Sequence, residues 1–182
     1  MKKVIALAFT AFLMGGIVSA QHHHGSCGNC PNHGKHHGQQ TEASAQQPQT
    51  NADGIDMAVV RAFPTVKTVK KTAKWTEVYD AGKKLLGYAV YSKPASDGIK
   101  GYNGETPVLI ALDTKKVILG VWLLANQETP KFAKKVEDAG FYKNWNGLTV
   151  KQALKKDVDA VSGATFTSNA VTKSVQAALK AL

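Results

Sequence analysis

The sequence predicts an α+β domain, a small antiparallel sheet with helices packed on it, preceded by a disordered His-rich spacer. Three observations carry that expectation. Two strand-turn-strand patterns occupy the middle of the chain, over 75–91 and 108–124, with apolar runs on either side of polar turns. The last third switches to apolar spacings of three and four, the helical period. The stretch 21–54 is His, Gly, Gln, Ser, Asn and Pro with almost no bulky apolar residue, so it cannot bury enough surface to offset the entropy of ordering.

At the N-terminus, Lys2 and Lys3 precede an apolar run over 4–18 that ends in Val18-Ser19-Ala20. That is the pattern of a secretory signal peptide cleaved after Ala20. The run is shorter than the roughly 18 to 20 residues needed to cross a bilayer, and it contains Gly15-Gly16. Cys27 has His24 three positions ahead of it, where a bacterial lipoprotein signal places an apolar residue. Residues 1–20 are therefore read as signal peptide, 21–54 as spacer and 55–182 as one folded domain of ordinary core size. The mature protein is expected to be soluble and exported, periplasmic or otherwise extracytoplasmic.

Within the folded part, 65–74 is expected as a short helix, against the modest helix propensity of its β-branched residues. Strands over 75–79 and 85–91 flank the turn Asp80-Ala81-Gly82-Lys83-Lys84. A glycine-bearing loop over 96–104 leads to a second hairpin, 108–112 and 117–124, whose dense apolar runs suit central strands. Pro130 opens a helix over 130–138, as proline suits a first helical turn. A shorter helix is expected over 150–155. In the last helix, Val171, Val175, Ala178, Leu179 and Leu182 form one apolar stripe to lie against the sheet.

The formal charge is +10. Such a bias suits an acidic partner, an anionic surface or nucleic acid, but the lysines are scattered through turns and helix faces with no aromatic ladder between them, and export argues against nucleic acid. A solvated lysine-rich surface accounts for them.

Ahead of the last helix stands Asp159-Ala160-Val161-Ser162-Gly163-Ala164-Thr165-Phe166-Thr167-Ser168-Asn169. On composition alone it is a strand end turning through Ser-Gly into an ordinary capped helix, with Ser162, Thr165 or Ser168 satisfying the first-turn donors. Helix N-termini also favour phosphate. The order Asp159-x-x-Ser162-Gly163-Ala164-Thr165 resembles the flavinylation motif of the FMN-binding domain family, which includes the periplasmic subunits of the Rnf complex and of the sodium-pumping NADH:quinone reductase. The resemblance runs from about Phe63 to the C-terminus. It takes in the loop Gly101-Tyr102-Asn103-Gly104, the Glu128-Thr129-Pro130 run after the second hairpin and the aromatic segment 141–147 that leads toward the flavin site. Where the family continues Glu-Thr-Pro with glycine, this chain has Lys131-Phe132.

The resemblance implies FMN joined covalently through a phosphoester to Thr165, donated from FAD by a Mg-dependent flavin transferase. Only a hydroxyl can form that ester, and Gly163 and Ala164 leave a low surface for the transferase. Asp159 either assists Mg²⁺ or positions the acceptor, or is simply an N-terminal helix charge. Tyr102, Leu124, Glu128, Thr129 and Thr167 are the candidates for the wall around the flavin ring, each with a core or capping role as the alternative. The expected partners are a membrane oxidoreductase as electron donor and an extracytoplasmic reductase or carrier as acceptor. No acid, base or nucleophile constellation stands out, which favours an electron carrier over a stand-alone enzyme.

The spacer holds all 6 histidines and both cysteines. Cys27, Cys30, His33, His36 and His37 are ligand types that suit zinc or copper, although their spacing is tighter than a standard zinc module. A Cys27–Cys30 disulfide and a plain flexible tether are the other readings. Pro31 after Cys30 disfavours covalent haem, which expects histidine there. The alternative function is thus an extracytoplasmic metal-binding protein that uses the His/Cys segment, with the C-terminal domain as scaffold.

Overall fold

In the computed structural model, which describes residues 50–182, five strands form one antiparallel sheet in chain order. They are β1 (Thr68–Lys71), β2 (Thr76–Tyr79), β3 (Leu85–Tyr91), β4 (Val108–Asp113) and β5 (Ile118–Leu123). The helices are α1 (Met57–Ala62), α2 (Pro130–Asp138), α3 (Val150–Lys155) and α4 (Thr165–Lys180), with a 3-10 helix at Phe141–Trp145. The expected signal peptide and the Cys27, Cys30, His33, His36 and His37 cluster lie outside the described residues.

The two expected hairpins are present and use the same device. In each, an aspartate ends the first strand and folds its carboxylate over the turn: Asp80 Oδ1 accepts from the Gly82 and Lys84 N–H groups, and Asp113 Oδ1 from those of Lys115 and Val117. Lys83 and Lys116 close the turns in the left-handed region, with φ of 60° and 63°. Pairing of β3 with β4 joins the hairpins into one meander.

The segment 65–74 is a strand and its turn, not the expected helix. Thr68–Lys71 pairs antiparallel with Thr76–Tyr79, and Thr72 Oγ1 donates to the Trp75 carbonyl to close the turn. The β-branched Thr68, Val69 and Thr72 fit an extended edge better than a helix, and the free edge of β2 supplies the ladder. Within the stretch expected as spacer, Thr50 bridges Asp56, and Asn51 Oδ1 accepts from the Asp53 and Ile55 N–H groups.

Strand β4 is buried on both faces because each face of the sheet is covered. Val108, Ile110 and Leu112 pack with Val90 and Val121 against Val136 of α2, Phe141, Trp145, Ala153 of α3 and the α4 stripe Val171, Val175, Ala178 and Leu179. Leu109, Ala111, Ala89 and Val78 face the other way, against Ile55, Ala58, Val59 and Phe63 at α1. Each fully buried leucine or isoleucine stabilises the fold by about 1.5 to 3 kcal/mol relative to exposure.

Space on the α1 side is tight at Gly87 of β3. A Cβ there would meet the Leu112 carbonyl oxygen across the ladder and stand 2.9 Å from the Phe63 ring. Gly87→Ala is expected to lower stability by about 2 kcal/mol or more, measured as a fall in the urea midpoint.

Among the described residues no helix is long and apolar enough to cross a membrane.

Candidate functional site

Three segments meet at the start of α4: the loop ahead of β4, the chain leaving β5, and the turn at 161–165. Glu128 ties them together. An Asx turn, in which Asn126 Oδ1 accepts from the Glu128 N–H and Asn126 Nδ2 donates to the Leu124 carbonyl, carries the Glu128 side chain inward. Its residue exposure is 6%. Glu128 Oε1 accepts from the Asn103 and Gly104 N–H groups at 2.9 Å each, and Oε2 from the Thr167 hydroxyl at 2.6 Å.

Burial pushes the Glu128 carboxyl up, but the Gly104 N–H, the Thr167 hydroxyl and the Asn103 and Tyr102 N–H groups outweigh it and hold the group below the usual glutamate range. The residue is an ionised clamp between loop and helix. The loop can wrap it because of its glycines: a Cβ on Gly101 would stand 2.6 Å from Glu128 Oε1, and one on Gly104 would stand 2.8 Å from the Gln127 Cβ.

The turn into α4 runs through Gly163 at φ 72°. The Ala164 N–H donates to the Val161 carbonyl, and Ser168 Oγ both donates to the Ala164 carbonyl and accepts from the Val161 N–H. Ala164 is the N-cap, and no side chain accepts from the first-turn donors. The ordinary capped helix that composition alone favours is therefore not what forms. Ser168 fixes the turn from behind, and the helix start keeps its unpaired N–H groups and partial positive charge. Gly163→Ala forces a side chain into the left-handed region and is expected to cost about 1 to 2 kcal/mol, read from urea denaturation.

Against this helix start lies an open hollow of about 230 Å³, lined by Tyr102, Phe132 and residues 163–167. The Tyr102 and Phe132 rings meet edge to face at 4.8 Å, and Phe166 lies 6.5 Å from Tyr102. Tyr102 is 62% exposed and Phe166 70%. Large aromatic rings left open beside one another at a polar helix start mark a binding surface.

The candidate residues are placed unequally. Thr165, exposed at the first position of α4, lies in the hollow with Gly163, Ala164, Thr167 and Tyr102. Thr167 itself is buried, its hydroxyl spent on Glu128. Glu128 lies behind the hollow and does not line it. Thr129 is the N-cap of α2, and Ser162 and Asp159 are exposed on the approach. Leu124 goes elsewhere: it packs with the α1-side cluster and borders a separate groove with Asp56 and Tyr91. Nor does the aromatic segment 141–147 reach the hollow, since Phe141 and Trp145 are core residues against the sheet. Sequence reasoning missed Phe132, Phe166 and Lys135. Phe166 directly follows the motif, and Lys131-Phe132 stood out as a departure from the family. Among the described residues, no cluster of His, Cys, Asp and Glu is arranged to hold a metal ion.

Sheet, uncapped helix and aromatic hollow define a small α+β domain that suits an anionic ligand carrying a flat ring. Residues 101–180 match the model of the FMN-binding domain. A subunit of the ion-translocating oxidoreductase complex from Stutzerimonas stutzeri is 38% identical over 91 residues, 44% of this chain and 40% of that protein. A subunit of the Na(+)-translocating ferredoxin:NAD(+) oxidoreductase complex from Acetobacterium woodii is 28% identical over 128 residues, 62% of this chain and 58% of that protein. The chain thus spans about half the length of these curated relatives. The crystal structure of Shewanella oneidensis NqrC aligns over 70% of each chain with 23% identity and a TM-score of 0.42.

The residues present fit FMN. The unpaired N–H groups at the start of α4 would receive its phosphate, and Tyr102, Phe132 and Phe166 would hold the ring system.

Proposed function

We propose that this chain is an exported electron-transfer flavoprotein carrying FMN in a phosphoester bond to Thr165. The observation that carries the reading is an exposed Thr165 hydroxyl on an uncapped helix start, in Ser-Gly-Ala-Thr order, beside an open aromatic hollow within an FMN-binding domain. When bound, flavin supplies one- and two-electron chemistry. The chain's own residues bind and orient it. Thr165 Oγ takes the phosphorus of the FMN half of FAD, the anhydride bond breaks, AMP leaves, and the hydroxyl proton passes to base on the transferase or in solvent.

Export rests on the Lys2-Lys3 start and the apolar run over 4–18. The curated relatives are named as subunits of ion-translocating oxidoreductase complexes. That supports a membrane oxidoreductase as electron donor, with an extracytoplasmic reductase or second carrier as acceptor. The His/Cys segment is proposed to act as a tether ahead of the folded domain.

A denaturing gel viewed under ultraviolet light tests the attachment. Wild-type protein made with a flavin transferase is expected to give a fluorescent band that persists when Cys27 and Cys30 become serine. A dark wild-type band in the presence of active transferase and FAD rejects the reading.

A further inference from the structure

The second half of α2 carries two adjacent lysines, Lys134 and Lys135, with different surroundings. Lys134 pairs with Asp138 at 3.0 Å. Lys135 makes no ion pair with a described residue, and its side chain lies over the backbone of the motif turn: a Cβ built on Gly163 would stand 2.6 Å from Lys135 Nζ and 3.7 Å from its Cε. The ammonium thus occupies the space that the absent side chain of Gly163 leaves, two residues before Thr165 and at the rim of the hollow. Glycine at this position serves two ends, the left-handed φ of 72° and the room for a cation.

We propose that Lys135 is the counter-ion of the phosphate at Thr165, a positioning residue that draws the phosphate into the turn and holds it there once esterified. The inference rests on the reading of Thr165 as the attachment point. A phosphodiester keeps one negative charge, and the N–H groups of a helix start supply only a partial positive charge. A full cation beside Gly163 completes the neutralisation from the α2 side, as a point charge that needs no fixed donor geometry.

The test uses the full chain, FAD, Mg²⁺ and a purified flavin transferase. Initial rates of covalent loading are read by in-gel fluorescence, and the phosphorus NMR line of the loaded protein is then recorded. Lys135→Gln is expected to load about fivefold more slowly, the size of one solvent-screened charge a few ångström from another. Its loaded form is expected to show a shifted phosphorus line. Lys135→Arg should restore both, and Lys134→Gln, with the same loss of net charge one residue away, should match wild type in both. The proposal is overturned if Lys135→Gln loads as fast as Lys134→Gln, or if its loaded form keeps the wild-type phosphorus line. A wild-type protein that stays dark fails the attachment itself, and the counter-ion role with it.

Discussion

Thr165→Val is expected to abolish the covalent flavin and leave the fold in place. Valine reproduces the branched shape of threonine and removes only the hydroxyl, the one atom able to form the ester. Thr165 is exposed at the first position of α4, and no side-chain hydrogen bond of the helix start depends on it. The cost in stability should therefore stay within about 0.5 kcal/mol. The measurement pairs the fluorescent gel with the intact mass of the purified protein, which reports any cleavage after Ala20 and the flavin together. Thr165→Ser, which retains a hydroxyl, should stay fluorescent. A fluorescent Thr165→Val band would place the attachment at another residue.

The second large effect is expected at Glu128. Glu128→Ala leaves the buried Gly104 N–H and Thr167 hydroxyl, and the part-buried Asn103 N–H, without their acceptor, and should cost about 3 kcal/mol or more. Glu128→Gln keeps one acceptor oxygen and nearly the same shape, so it should cost about 1 to 2 kcal/mol. The pH dependence separates charge from shape. The folded carboxyl titrates below the ordinary glutamate value of 4.5, so the unfolded chain takes up the proton first as pH falls. The stability that Glu128 contributes is full above that value and is lost as pH drops through the folded-state value. Urea midpoints should accordingly show the gap between wild type and Glu128→Gln widest at neutral pH and shrinking below pH 4.5. A gap that stays constant with pH would mean that shape alone accounts for the loss. Because Glu128 also anchors the Gly101–Gly104 loop that presents Tyr102, Glu128→Ala should loosen the aromatic wall.

Elements whose sequence signal is local were legible in advance. Both hairpins carry an aspartate and a left-handed lysine at fixed offsets, α2 opens on proline, and the α4 stripe follows the helical period. The turn before α4 stood out through its resemblance to a family motif, whereas composition alone pointed to a side-chain cap that does not form. Strand β1 was not legible, because an edge of lysines and β-branched residues takes its conformation from the ladder offered by β2. Leu124, expected with Tyr102, Glu128, Thr129 and Thr167 in the wall around a flavin ring, packs with the α1-side cluster instead. One residue earlier, Leu123 packs with the helices, and Leu124 with α1. At a strand end that choice turns on a single step of alternation.

Residue order specified an α+β domain with an antiparallel sheet, and set a threonine at the start of its last helix within a run that resembles a flavinylation motif. Those features depend on side-chain period and neighbouring residues, which a linear chain displays directly. It took the folded chain to make Glu128 a buried clamp facing Thr167, 39 positions away. Folding also brings Phe132, Phe166 and Tyr102 to one hollow and sets Lys135 over Gly163. Each of those is a meeting of distant segments, set by how α2 and α4 pack on one face of the sheet, and no local pattern records it.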